Sequence, residues 1–197
     1  MTGERRRAPS GRRPTASSFS EGGFSALELL VVIVIVCTVV AIGVPALHSR
    51  AKSAVLDTNM HTLAAMITSQ VLEGYSTDYN PPVNGFSDYY LNDHLTTSLA
   101  TAGQTSFVNP CVGGSDGRAV VNSDTLPADP QAKAPAVFVT DCAEAQYAAF
   151  DSLPVAARHL LAGSLVVGFD SGSKMLGVFF VDAKGNKSPN VVQVPMA

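Results

Sequence analysis

The sequence predicts an α+β fold: a long N-terminal helix, membrane-spanning in its first half, packed on a C-terminal head built around an antiparallel β-sheet. Three observations predict it. An apolar run from Phe24 to Leu47 contains a single charged residue, Glu28. Beyond the run, Leu56, Met60, Leu63, Ile67 and Val71 recur at spacings of four, three, four and four, the period of one helix face. After position 163, the β-rich runs SLVVGFD, MLGVFFVD and NVVQVP are separated by short polar linkers that carry glycine. That is the pattern of an antiparallel meander. A helix laid on one face of such a sheet is an α+β arrangement.

The helix comes first. Phe24 to Leu47 is 24 residues, about 36 Å of helix at 1.5 Å per residue, enough to cross a bilayer core. Residues 1–23 hold five arginines (Arg5, Arg6, Arg7, Arg12 and Arg13) against Glu4 and Glu21. A basic flank stays on the cytoplasmic side of a span, so 1–23 reads as a cytoplasmic leader. The remaining 174 residues carry 8 basic and 14 acidic groups, a net of −6. Such an acidic body argues against electrostatic binding of nucleic acid. A secretory signal peptide places small residues after its apolar core; here Gly22 and Gly23 precede it.

Gly43 and Pro45 interrupt the run. Proline removes one backbone hydrogen bond, so a kink is expected there rather than an end, because a helical pattern resumes at once. The stripe from Leu56 to Val71 then carries the helix to about residue 75, with Gly74 as a C-cap and Asn80-Pro81-Pro82 as a stop. Asp57, Asn59, His61, Thr62 and Gln70 fall off the stripe. His48, Arg50 and Lys52, just past the span, read as solvated or headgroup-facing.

Residues 76–163 read as a connecting region. Ser87-Asp88 caps a short helix through Leu91, Leu95 and Leu99 that ends near Gly103. Residues 109–135 read as loop with one short strand at Arg118 to Asn122, followed by a strand at Ala136 to Thr140. Pro154 to Ala162 reads as a helix, with proline in its first turn and Gly163 after it. Residues 164–197 form the meander.

At the start of the apolar run, Gly-Phe-Ser-Ala-Leu-Glu-Leu-Leu spans Gly23 to Leu30. Set behind a basic leader and ahead of a long span with a late proline, it resembles the class III signal of type IV pilins and the related type II secretion pseudopilins. The resemblance covers positions 22 to about 75. It implies a pilin-like fold, cleavage between Gly23 and Phe24 by a membrane prepilin peptidase, and N-methylation of Phe24. Glu28 then stands fifth in the mature chain, where the family has its glutamate, and Pro45 stands where many members kink. The implied partners are the prepilin peptidase, other subunits of a homo-oligomeric filament and an inner-membrane assembly platform. The implied path runs from a single-pass protein of the cytoplasmic membrane, its head outside, to a pilus on the cell surface.

A carboxylate inside a bilayer costs at least about 2.5–3.5 kcal/mol at the centre and less near an end. Cleavage would create the amine that can neutralise it. Within one helix Phe24 and Glu28 are poorly placed to pair. A neighbouring subunit shifted along the axis can present its amine, which would set subunit register as a buried polar residue does in a coiled coil. The competing reading is an interfacial glutamate reaching into headgroups.

Nothing in the sequence specifies an enzyme, a cofactor or a metal. His48, His61, His94 and His159 lack metal-ligand spacing. The turns at Asp170 and Asp182 are too poor in acids for a calcium loop, although some pseudopilins bind calcium near such loops. Val112-Gly-Gly-Ser-Asp-Gly117 lacks the lysine of a phosphate loop. Cys37 lies in the span and acts as a small hydrophobe. Cys111 and Cys142 are expected to form a disulfide if the head is exported, closing a loop of about 30 residues for roughly 3–4 kcal/mol; two thiols are the other reading. The leading functional expectation is a type IV pilus subunit. The alternatives are a pseudopilin of a type II secretion or DNA-uptake apparatus, and a membrane-tethered binding protein.

Overall fold

The computed structural model describes residues 23–72, 94–100, 104–140, 142, 147–170 and 175–195. The predicted Gly74 cap, the Asn80-Pro81-Pro82 stop, Ser87, Asp88, Leu91 and Gly103 lie outside these residues. Helix α1 runs from Ala26 to Leu72, 47 residues, about 70 Å of helix. It continues through Gly43 and Pro45, so the span does not end at the proline. Pro45 has no N–H to offer the Ala41 carbonyl, and the helix goes on without that bond. The chain divides into two compact units, one ending at Gly43 and one running from Val44 to Ala197.

Within the second unit, α1 buries Leu56, Met60, Leu63, Ala64 and Ile67, with Val71 half-buried at the end of the same stripe. Each large side chain so buried is worth about 1.5–3 kcal/mol. Off the stripe, hydroxyls satisfy themselves: Thr58, Thr62 and Thr68 each donate to the carbonyl four residues back, at 2.8–3.0 Å. Helix α2 (Thr96–Leu99) adds Leu95 and Leu99 to the same core. It is tied to α1 by Gln70 Nε2 donating to Ser98 Oγ at 2.9 Å.

The sheet has five strands in sequence order: β1 (Val120–Asn122), β2 (Val137–Thr140), β3 (Leu165–Asp170), β4 (Met175–Phe180) and β5 (Val192–Pro195). The expected meander is present as β3–β4–β5, both pairs antiparallel. The expectation of a wholly antiparallel sheet is corrected, because β1 pairs with β2 and β2 with β3 in parallel. Parallel neighbours need a connector that crosses a face of the sheet and returns to the starting end. The two connectors between these strands do this. Leu126, between β1 and β2, packs on the sheet face turned away from α1, and so do Tyr147, Phe150, Leu153 and Leu161, between β2 and β3. Helix α3 (Val155–His159) lies in the second connector, with Pro154 at its start.

The sheet is therefore buried on both faces. Val137, Val139, Leu165, Val167, Phe169, Leu176, Val178, Phe180 and Val194 face α1. Phe138, Val166, Phe179 and Val181 face the connectors, where Phe179 meets Phe150 edge-on with ring centroids 5.2 Å apart. Register explains the division. Leu165 pairs with Val137 and Phe180, and Val167 with Val139 and Val178, so one face is continuous across the strands. Near-continuous apolar runs such as LVVGF and MLGVFFV follow from two covered faces.

Candidate functional site

The N-terminal unit is built from its first turn. Gly23, Phe24 and Ser25 precede α1, and Gly23 and Phe24 are exposed. Ser25 caps the helix. Its Oγ accepts the Glu28 N–H at 3.1 Å, and its carbonyl accepts the Leu29 N–H at 3.0 Å. Ser25-Ala-Leu-Glu28 has the spacing of a capping box, with serine at the cap and glutamate at the third helical position. The Glu28 carboxylate also stands in the first turn, where the helix dipole favours an anion. Ser25 was missed in the sequence reading, though the serine three residues ahead of a glutamate is a visible signal.

From Phe24 to Leu47 every residue except Gly43 is exposed. The mean hydropathy of the most apolar 18-residue window is 3.0, and none of that window is buried. Apolar side chains lie on all sides: Leu27 is 75% exposed and Ile42 77%. A helix that is apolar all round belongs in a membrane or among other apolar helices. By length and composition it is a candidate membrane span. Cys37 is exposed within it, and Thr38 returns its hydroxyl to the Ile35 carbonyl at 2.8 Å.

The expected Cys111–Cys142 bridge is not formed; both residues are thiols. Topology gives the reason. Cys111 N–H donates to Asn109 Oδ1, and the Asn109 amide donates to the carbonyls of Ala134, Pro135 and Ala162. Cys111 is thus fixed at the entry to β2 and β3. Cys142 follows the exit of β2, where its N–H donates to Thr140 Oγ1. Strand β2 lies between them, four residues or roughly 10–13 Å at 3.3 Å per residue. A disulfide needs Cα atoms within about 7 Å. Burial pushes the Cys111 thiol above its ordinary pKa, Lys52 pulls it back and Asp182 adds to the rise.

Asn109 is the second residue the sequence did not single out. It is fully buried, and all its contacts are made inside the head. Gly163, at φ +82°, completes the site, because a Cβ there would run into the Asn109 amide. The Asp182 carboxylate is occupied by its own turn, accepting from the N–H groups of Lys184 and Asn186 and from Asn186 Nδ2. His48, His61 and His159 are exposed and far apart in sequence, and His94 is half-buried. Among the described residues no three of His, Cys, Asp and Glu come together as a metal would require. Arg158 Nε is buried without a hydrogen-bond partner among the described groups.

No family model matches the chain. No curated protein and no solved structure matches it either. The head, with its internally satisfied core, and the exposed helix, with its single carboxylate, are therefore what a functional reading has to explain.

Proposed function

We propose that the chain is a structural subunit of a type IV pilus, a prepilin cleaved between Gly23 and Phe24, N-methylated at Phe24 and assembled through α1 into a helical filament. The observation that carries the reading is the exposed, all-round apolar first half of α1 with one carboxylate in its first turn. Before assembly this surface is covered by lipid in the cytoplasmic membrane, with the leader in the cytoplasm. In the filament it is covered by the same helices of other subunits, delivered by the membrane platform.

Gly23 supports the same reading. Among the described residues, a Cβ at Gly23 would meet nothing within 4 Å, and Gly23 is not one of the positive-φ glycines. Among the described residues nothing requires glycine at this position, so its presence is left to the cleavage step that this reading invokes. Gly23 and Phe24 lie outside the helix and exposed, as a scissile bond must be. Glu28 lacks any partner of opposite charge within the span, since Phe24 to Leu47 contains no Lys, Arg or His. The amine released at Phe24 of a neighbouring subunit supplies that charge.

The test is the mature N-terminus. Mass spectrometry of the chain purified from its native membrane should give a protein beginning at methylated Phe24. An intact Met1, or a cut beyond Pro45, defeats the proposal. Glu28→Val should then leave processed protein in the membrane while abolishing filaments in sheared surface material. Normal filament yield from that variant would remove Glu28 from assembly.

A further inference from the structure

The head-facing stripe of α1 changes character where the helix leaves the head. Stepping back four residues from buried Leu56 gives Lys52, half-buried at the edge of the stripe that packs on the head, whereas His48, four residues further back, is exposed and off that stripe. Lys52 is half-buried and within electrostatic reach of Cys111, as is Asp182. Asp182 opens the turn that carries exposed Lys184, and Gly185 of that turn packs on the end of α3. A Cβ on Gly185 would lie 3.1 Å from the His159 nitrogen and 3.3 Å from the Arg158 carbonyl carbon. Helix, turn and α3 thus bring their cations to one end of the head.

We infer that this end of the head, formed by Lys52, Arg158, His159 and Lys184, is a docking surface for anionic phospholipid headgroups. The inference rests on the reading of Phe24 to Leu47 as a membrane span. Charge segregation supports it. The chain beyond Gly23 nets −6, yet three of its eight basic groups, Lys52, Arg158 and Lys184, stand at this end. Asp182, which lies among them, has both oxygens engaged by its own turn. Depth fits as well. Lys52 stands five residues past Leu47, about 7 Å along the helix. The headgroup layer beyond the hydrocarbon core is roughly 5–8 Å thick on each side. A cation at that depth meets phosphate. Lys187 is excluded, since Asp151 at 2.9 Å and the Tyr147 carbonyl already hold it.

The experiment uses the full chain in vesicles of phosphatidylcholine alone and of phosphatidylcholine with phosphatidylglycerol. Flotation reports insertion, and amide exchange reports contact by the head. Amides of 182–187 and 158–163 should exchange about fivefold more slowly for each cation engaged on the anionic vesicles. The slowing should fade in high salt and be lost in the Lys52→Glu, Lys184→Glu double variant. A chain that floats with both vesicles but shows equal, salt-independent exchange overturns the docking surface and leaves the span standing. A chain that floats with neither overturns both. The salt dependence of the unaltered chain keeps the test valid should the double variant fold poorly.

Discussion

The two halves of α1 are one helix with two different partners. Between Leu56 and Val71 the apolar residues form a stripe, and the head supplies what the stripe packs against. Between Phe24 and Leu47 they form a full cylinder, and among the described residues none of it is buried beyond the half-burial of Gly43. The first pattern is closed by folding and the second is left open by it. The difference teaches where to look for function: polar residues on the head half are explained by solvent, whereas a polar residue on the open half, Glu28, has to be explained by whatever covers it.

The sharpest way to break this comparison is to put the same charge into each half. Leu63 is fully buried. Leu63→Asp places an unpaired carboxylate between α1 and the sheet and should destabilise the head by about 4 kcal/mol or more. Ile35 is 53% exposed. Ile35→Asp should leave the urea midpoint of the head within about 0.5 kcal/mol of the parent. It should instead cost about 2.5–3.5 kcal/mol of membrane insertion, being near the middle of the run. Urea denaturation followed by far-UV circular dichroism, beside membrane fractionation, separates the two effects. Loss of head stability from Ile35→Asp would mean that the first half packs on the head after all.

Legibility in the sequence follows the same line. The stripe and the three C-terminal strands are set by local periodicity, and Leu56, Met60, Leu63 and Ile67 all appear where their spacing put them. The strands observed, Leu165–Asp170, Met175–Phe180 and Val192–Pro195, lie within the runs SLVVGFD, MLGVFFVD and NVVQVP. The strands expected at Arg118 to Asn122 and Ala136 to Thr140 appear as β1 and β2, but their parallel pairing was not legible. Whether β2 joins β3 in parallel depends on the path of residues 141–164 across the sheet, which has no periodic signature. The disulfide failed for a related reason: cysteine counting gives the number of thiols but not the end of the strand at which each stands. Gly23, Phe24 and Glu28 are singled out by motif alone, and the roles proposed for them would lie in contacts outside this chain.

Asn109 gives a second, smaller test, confined to the head. Its amide bridges three carbonyls on two connectors and its Oδ1 accepts from Cys111. Asn109→Ala leaves these buried groups short of partners and should cost about 2–3 kcal/mol. Asn109→Asp should cost no less, because the carboxylate cannot donate to the carbonyls of Ala134, Pro135 and Ala162. Chemical denaturation of both variants checks the order. Neither should alter exchange at the start of α1, because the partners of Asn109 all belong to the head.

Ser25 is the smallest lever and the most local. Its Oγ contact with the Glu28 N–H is worth about 1 kcal/mol to the first turn. Ser25→Ala should therefore speed amide exchange at Leu27, Glu28 and Leu29 roughly fivefold in a bilayer, with the head's denaturation midpoint unchanged. Ser25→Thr should restore most of the protection, because its hydroxyl can cap the same N–H. The consequence for assembly separates two roles of the turn. If Glu28 must be held at a fixed height to meet an amine from a neighbouring subunit, fraying the turn lowers filament yield without affecting cleavage, and Ser25→Thr recovers it. If the carboxylate only reaches into headgroups, its height is not constrained, and Ser25→Ala assembles as well as the parent. The cap thus reports whether Glu28 is positioned or merely tolerated.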